Sequence, residues 1–197
     1  MKLGALILSL GVVGSASAVV LDFDALSAGA NASNAVPGVT ITTGNIVDSV
    51  SVGDVITWSE TFDGFHVYAD AGTAWSGDNV AYAQGTQDAL LTFDDLAAGL
   101  SLLSDRYPND GNDVIRLIGL KSLGDSGFEV MEVFETTDGF TDGIGNLMSL
   151  TGTYKHVVFQ STTEQEGFDN VRYEAVPEPA TLAALGLGLA ALKRRRK

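Results

Sequence analysis

The sequence predicts an all-β domain, an antiparallel β-sandwich, and three observations carry that expectation. Apolar and polar residues alternate at a period of two: Leu21 and Phe23 with Asp22 and Asp24, Val39 and Ile41 with Thr40 and Thr42, and Phe65, Val67 and Ala69 with His66 and Tyr68. That period sends successive side chains to opposite faces, so these stretches read as strands with one wet face. Turn signals punctuate the chain at Pro37-Gly38, Asp63-Gly64, Pro108-Asn109-Asp110-Gly111, Gly124-Asp125, Asp138-Gly139 and Asp142-Gly143. Finally, no long amphipathic helix interrupts the pattern, and many short strands with turn-rich spacers pack as antiparallel layers.

Taken in order, further strands are expected over Ile46 to Val55, Val80 to Gln84, Leu90 to Phe93, Leu100 to Ser104, Val114 to Lys121, Phe128 to Phe134, Tyr154 to Gln160 and Phe168 to Glu174. Between two of them, Asp94-Asp95-Leu96-Ala97-Ala98 has the composition of a short helical turn.

Both chain ends differ from this domain. Residues 1–18 carry Lys2, an apolar run from Leu3 to Val13 and the small residues Ala16-Ser17-Ala18. This is the layout of a Sec signal peptide with an A-x-A cleavage site, which would release Val19 as the new N-terminus. At the other end stand Pro177-Glu178-Pro179, an apolar run from Ala180 to Leu192, and the basic tail Lys193-Arg194-Arg195-Arg196-Lys197. Two prolines lack amide donors and hold their neighbours extended, so the domain should stop at Val176. The apolar run as a helix spans roughly 20 Å, against a hydrocarbon core of about 30 Å, which suits a short, transient membrane helix. The basic tail would hold its end in the cytoplasm and leave everything before Pro177 outside.

The C-terminal residues resemble the PEP-CTERM sorting signal of Gram-negative bacteria. The resemblance implies that Pro177, Glu178 and Pro179 are read by a membrane-embedded exosortase while Lys193, Arg194, Arg195, Arg196 and Lys197 anchor the precursor. It also implies export through Sec, a transient inner-membrane intermediate, and delivery to the cell surface or to an exopolysaccharide matrix of the kind found in biofilms. The expected organisation is therefore signal peptide 1–18, β domain 19–176 and sorting signal 177–197.

Composition limits what the middle domain can do. It holds five basic residues and 24 of the chain's 25 acids, a net charge of −19. A surface of that sign repels nucleic acid and anionic membranes and attracts divalent cations. Cysteine is absent, so no disulfide supports the fold and no thiol nucleophile is available.

The domain's two ends, Leu21-Asp22-Phe23-Asp24-Ala25-Leu26 with Pro37-Gly38-Val39-Thr40, and Gly167-Phe168-Asp169-Asn170-Val171-Arg172-Tyr173, resemble exported jelly-roll domains of the carbohydrate-binding-module and discoidin-like kind. A strict period of two places Asp169 on the face of Val171 and Tyr173, where a carboxylate needs a partner. The resemblance implies a structural calcium held by Asp169 with Asp22 or Asp24 of the first strand, a role oxygen ligands suit. It also implies a sugar contact, for which Trp75 in a Gly- and Ser-rich loop and Tyr68 on a polar strand face are the preferred rings, with Trp58, Tyr82 and Tyr107 as further candidates.

Catalysis has little support in the sequence. His66 and His156 are the only histidines, neither lies in a zinc-ligand motif, and no G-x-S-x-G elbow occurs. Carboxylate pairs such as Asp94 and Asp95, or Glu164 and Glu166, would serve a glycoside hydrolase only if two acids faced each other across a substrate. The loop 105–113 is rich in oxygen ligands, but Arg106 and Pro108 break the EF-hand pattern. The expectation is a non-enzymatic surface or matrix protein; the alternative is a calcium-supported carbohydrate-binding module.

Overall fold

The computed structural model describes residues 17–21, 23–27, 29–34, 36–46, 49–61, 65–69, 79–83, 88–104, 114–137, 146–161 and 167–176. The strands are β1 (Ser17–Leu21), β2 (Val39–Asn45), β3 (Val55–Ile56), β4 (Ser59–Thr61), β5 (Phe65–Ala69), β6 (Asn79–Ala83), β7 (Asp88–Ser104), β8 (Val114–Ser122), β9 (Phe128–Thr137), β10 (Asn146–Ser149), β11 (Thr153–Ser161) and β12 (Gly167–Val176). Every pairing between them is antiparallel, as the alternation predicts. A single turn of 3-10 helix at Gly124–Ser126 fills the expected Gly124-Asp125 turn.

Strand β7 is the organising element. Its first part, up to Phe93, lies between β2 and β11, and from Leu96 onward it pairs with β12. The sequence suggests two strands joined by a helical turn here, and the structure corrects this to one 17-residue strand. Helical propensity over Leu96-Ala97-Ala98 is a weak preference, and backbone partners on both sides outweigh it. The change of partner is marked by a register shift: Tyr154 and His156 of β11 lie opposite Ala97 and Thr92 of β7. Exposed Asp94 and Asp95 occupy that corner, and Gly99 follows at φ 57. Bends of this kind let one strand serve two layers.

One layer therefore runs β4, β2, the start of β7, β11, β8, β9 and β3; the other holds β5, β6, β1, β12, the end of β7 and β10. The space between them is apolar, with Ile41, Leu91, Leu117, Val157 and Phe159 from the first layer and Leu21, Phe65, Leu102, Phe168 and Val171 from the second. Phe168 lies at its centre, with ring centroids 4.9 Å from Phe159, 5.2 Å from Phe65 and 6.1 Å from Phe23. These are spacings at which aromatic quadrupoles attract.

The first layer is buried on both faces, which a one-wet-face reading did not anticipate. Leu90, Ile118 and Val158 point away from the central core and form a second cluster with Leu120, Val130 and Ile56, covered by Ile46, Val50 and Trp58. The cover is the segment expected to be a strand over Ile46 to Val55. Of its described residues only Val55, the first residue of β3, is strand. Asp54 Oδ2 accepts the Ser51 amide at 2.7 Å and Gly53 takes φ 95, so a local turn replaces the ladder while Ile46 and Val50 pack downward. Trp58 seats its ring against Gly44, where an added Cβ would come within 2.6 Å of it. The short strands β4 and β10 carry no sequence pattern long enough to announce them.

Candidate functional site

The site of interest is the seam between the first and last strands, because it carries both chain ends. Val19, Val20 and Leu21 are residues that favour extended backbone, and they pair with β12 in the register Ser17↔Ala175, Ala18↔Glu174, Val19↔Tyr173, Val20↔Arg172 and Leu21↔Val171. On its other side β12 pairs with β7 as far as Val176↔Leu96. Strand β12 is thus central in its layer, and the start of β1 at Ser17 lies opposite Ala175, one residue before the end of β12.

Within β12 the expected period of two breaks. Asn170 has φ 51, and the pairing with β7 shifts between Asp169 and Arg172. A bulge adds one residue and changes the phase, which is why Phe168 and Val171, three apart, share the core. Asp169 therefore does not follow from the alternation that placed it beside Val171 and Tyr173. It is buried, at 1% exposure, and its Oδ2 accepts Asn170 Nδ2 at 2.7 Å. Asp24 sits half-buried just after Phe23, and Asp22 lies outside the described residues. Among the described residues no three His, Asp or Glu side chains are gathered as a metal ion's ligand set.

Tyr173 closes the seam from the core side, its ring 4.7 Å from Phe93. Burial pushes its phenol up, and the charges of Asp94 and Asp95 push it further, so the hydroxyl keeps its proton.

Beyond Leu96 an open groove of about 290 Å³ runs past Leu120, Met131, Tyr154, Lys155 and His156. Tyr154 and His156 on its wall are shifted in their titration, as is Glu132 beside Tyr154. Burial would raise Glu132, but the amides of Thr151 and Gly152 and the hydroxyls of Tyr154 and Thr151, at 2.7 to 2.9 Å, together hold it below the usual carboxylate range. Burial and then Glu132 push the Tyr154 phenol well up. His156 is lowered by burial and by Lys155, with Nδ1 3.2 Å from Thr92 Oγ1 and its ring edge-on to Phe128. A carboxylate with four donors, one of them the tyrosine hydroxyl that keeps its proton while donating, forms a latch across β9, β11 and the turn before it. Gly119 makes room for the latch, since a Cβ there would lie 2.5 Å from the Tyr154 ring.

A second concavity is lined by polar residues, whose methyl and methylene groups also face it. About 240 Å³ is lined by Asn31, Ser33, Asn34, Thr40, Thr42, Thr43, Glu60 and Thr61, where segment 31–34 and β4 lie along the outer edge of β2. Asn31 Oδ1 accepts the Ser33 amide at 2.8 Å, and the Thr43 hydroxyl lies 3.3 Å from that of Thr61. One sequence feature marks most of this cleft, a feature unrelated to aromatic rings: from Ala25 to Val47 there is no charged residue, in a domain otherwise dense in acids.

Of the expected ligand rings, Trp58 packs into the outer apolar cluster rather than standing free. Trp75, Tyr107 and the side chains of Tyr68 and Tyr82 lie outside the described residues. So do loop 105–113, Glu164, Glu166, Pro177, Glu178, Pro179, the apolar run and Lys193 to Lys197. Among the described residues no helix is long and apolar enough to cross a membrane.

Comparison with known proteins decides the nature of the end that β12 leads into. The family model for the PEP-CTERM protein-sorting motif matches residues 175–197, beginning inside β12 itself. The chain carries a PEP-CTERM sorting motif. The motif marks an exported protein that is processed at the membrane. No curated protein matches the chain. Among solved structures it is similar to the K2 cleaved adhesin domain of Lys-gingipain, with 15% identity, a TM-score of 0.47, and coverage of 80% of this chain and 99% of that one. It is also similar to a rhamnosidase from Klebsiella oxytoca with rhamnose bound, at 10% identity and a TM-score of 0.35, over 71% of this chain and 29% of the other.

Proposed function

We propose that this chain is a non-enzymatic surface or matrix protein of a Gram-negative bacterium, exported by Sec and handed through its PEP-CTERM motif to an exosortase, so that the β domain is the displayed part. The observation that carries this is the direct join between fold and signal: the motif's first residues, Ala175 and Val176, are the last residues of a strand held by β7, with no linker between. The domain thereby ends at a fixed distance from Pro177, which suits presentation of Pro177, Glu178 and Pro179 to a membrane-embedded peptidase. The resemblance to PEP-CTERM proteins supports an association with extracellular polysaccharide, as in biofilms. Changing Lys193 through Lys197 to Gln removes the cytoplasmic anchor, so unprocessed precursor should shift from the membrane fraction to the soluble periplasmic fraction. Precursor that stayed wholly with the membrane would contradict the anchoring role.

The polar cleft favours a second reading, a carbohydrate-binding module. Amide and hydroxyl groups in a concave setting complement sugar hydroxyls, and each hydrogen bond contributes about 0.5 to 1.5 kcal/mol. A glycan array on the exported domain, run with calcium and with EDTA, tests this and the calcium expected at Asp22, Asp24 and Asp169 together. A sugar bound through the cleft should lose about tenfold affinity or more in Asn34→Ala/Thr42→Ala. Binding unchanged in that variant would place any sugar site elsewhere.

A further inference from the structure

The seam joins two cleavage events that the sequence presents as separate. In the register of β1 and β12, Ser17 lies opposite Ala175 and Ala18 opposite Glu174. Those two residues are the end of the signal peptide, and their partners stand at the threshold of the sorting motif. Along the same side of β12, Gly167 and Phe168 are covered by β6, and Val171 to Ala175 by β1. A chain that begins at Val19 therefore has no β1 partner opposite Glu174 and Ala175, while Val19 to Leu21 pair with Tyr173 to Val171.

We propose that removal of the signal peptide leaves the outer edge of β12 bare at Glu174 and Ala175 when the domain folds, and that this bare edge is the surface on which the sorting peptidase engages the segment leading into Pro177. The proposal rests on the reading of residues 1–18 as a cleaved signal peptide. Hydrolysis of the Ala18–Val19 bond adds one water and yields an Ala18 carboxylate and a Val19 ammonium. The residues that would pair with Glu174 and Ala175 are then absent, and β12 folds with that stretch of its edge uncovered on one side. An exposed edge of that kind is a ready template for pairing with another extended backbone. In a folded chain that retains them, residues 17 and 18 occupy that edge. Glu174 is exposed and Ala175 half-buried, so no packed side chain blocks the approach once those residues have gone. The order of the two reactions follows: N-terminal hydrolysis comes first, and C-terminal processing consumes its product. The scissile Ala18–Val19 bond itself lies within the paired strand, so the signal peptidase must act before β12, the last strand synthesised, docks on β1.

Two substitutions at one position separate strand cover from mere retention of the N-terminus. Ala18→Leu and Ala18→Pro both violate the small-residue rule of the cleavage site and keep residues 1–18 on the chain. Leucine preserves the pairing opposite Glu174, whereas proline removes a donor and disrupts the ladder there. The full-length chain is expressed in its own host, and mass spectrometry reads both ends of each molecule. Among chains that retain residues 1–18, C-terminal trimming should fall about tenfold or more in Ala18→Leu, the factor that a local opening cost of about 1.4 kcal/mol imposes. It should recover in Ala18→Pro. Equal trimming in both variants, whether at the wild-type level or equally blocked, would overturn the proposal. A wild-type product that does not begin at Val19 would instead overturn the signal-peptide reading beneath it.

Discussion

Replacing Pro177 and Pro179 together with Ala is expected to leave export intact and to abolish C-terminal processing. Residues 1–18, the proposed signal peptide, are untouched, so translocation should proceed. What changes is the joint between β12 and the apolar run. Each proline fixes its own φ near −65° and keeps the preceding residue extended, so Val176 and Glu178 cannot enter a helix. With alanine at both positions the apolar stretch has residues of high helical propensity on its N-terminal side, and the helix can grow back toward the domain. A peptidase that reads an extended, rigid segment then meets a helical one. Mobility on a gel, confirmed by mass spectrometry, should show the variant retaining its full C-terminus where the wild type is shortened. Trimming of the variant at the wild-type rate would show that the prolines are not what is recognised.

The largest effect on the fold is expected at Phe168. Its ring touches Phe23, Phe65 and Phe159, so it joins the first turn of the chain, β5, β11 and β12 in one cluster. Truncating a fully buried phenylalanine removes its transfer energy and leaves a cavity that a close-packed interior cannot collapse, a cost of about 3 to 5 kcal/mol. At about 2 to 4 °C per kcal/mol for a chain of this size, Phe168→Ala should lower the melting temperature by about 6 to 20 °C. Leu147→Ala, at an exposed position on β10, is the control and should stay within about 0.5 kcal/mol of wild type. A Phe168→Ala domain as stable as that control would mean that the two layers do not meet where the ring contacts place them.

How much of this was legible in the residues depends on how far each signal reaches. Alternation is local, and it located β2, β5, β8, β9, β11 and β12 to within a few positions. The corner in β7 was not legible, because Asp94 to Ala98 is extended by partners on β11 and β12, which no local window contains. The cover over the outer face was missed for a related reason. Ile46 and Val50 are spaced for packing onto a sheet rather than for membership of one, and only the Ser51 to Asp54 turn betrays it. Asp169 was flagged correctly as a buried carboxylate, but for a reason the bulge at Asn170 removes, since one residue in a left-handed conformation inverts the phase of everything before it. The sorting motif was legible in full, because a proline joint, an apolar run and a basic tail carry their meaning in their order. The Glu132 latch was invisible in sequence, being assembled from β9, β11 and the turn at Thr151 and Gly152.

The central claim is that the chain reaches its destination through processing at its C-terminal motif, and intact-mass measurement of the wild-type protein recovered outside the cell tests it most directly. A single species beginning at Val19 and lacking the apolar run and the basic tail from Lys193 to Lys197 is the predicted result. An extracellular protein whose mass still includes Lys197 would contradict it.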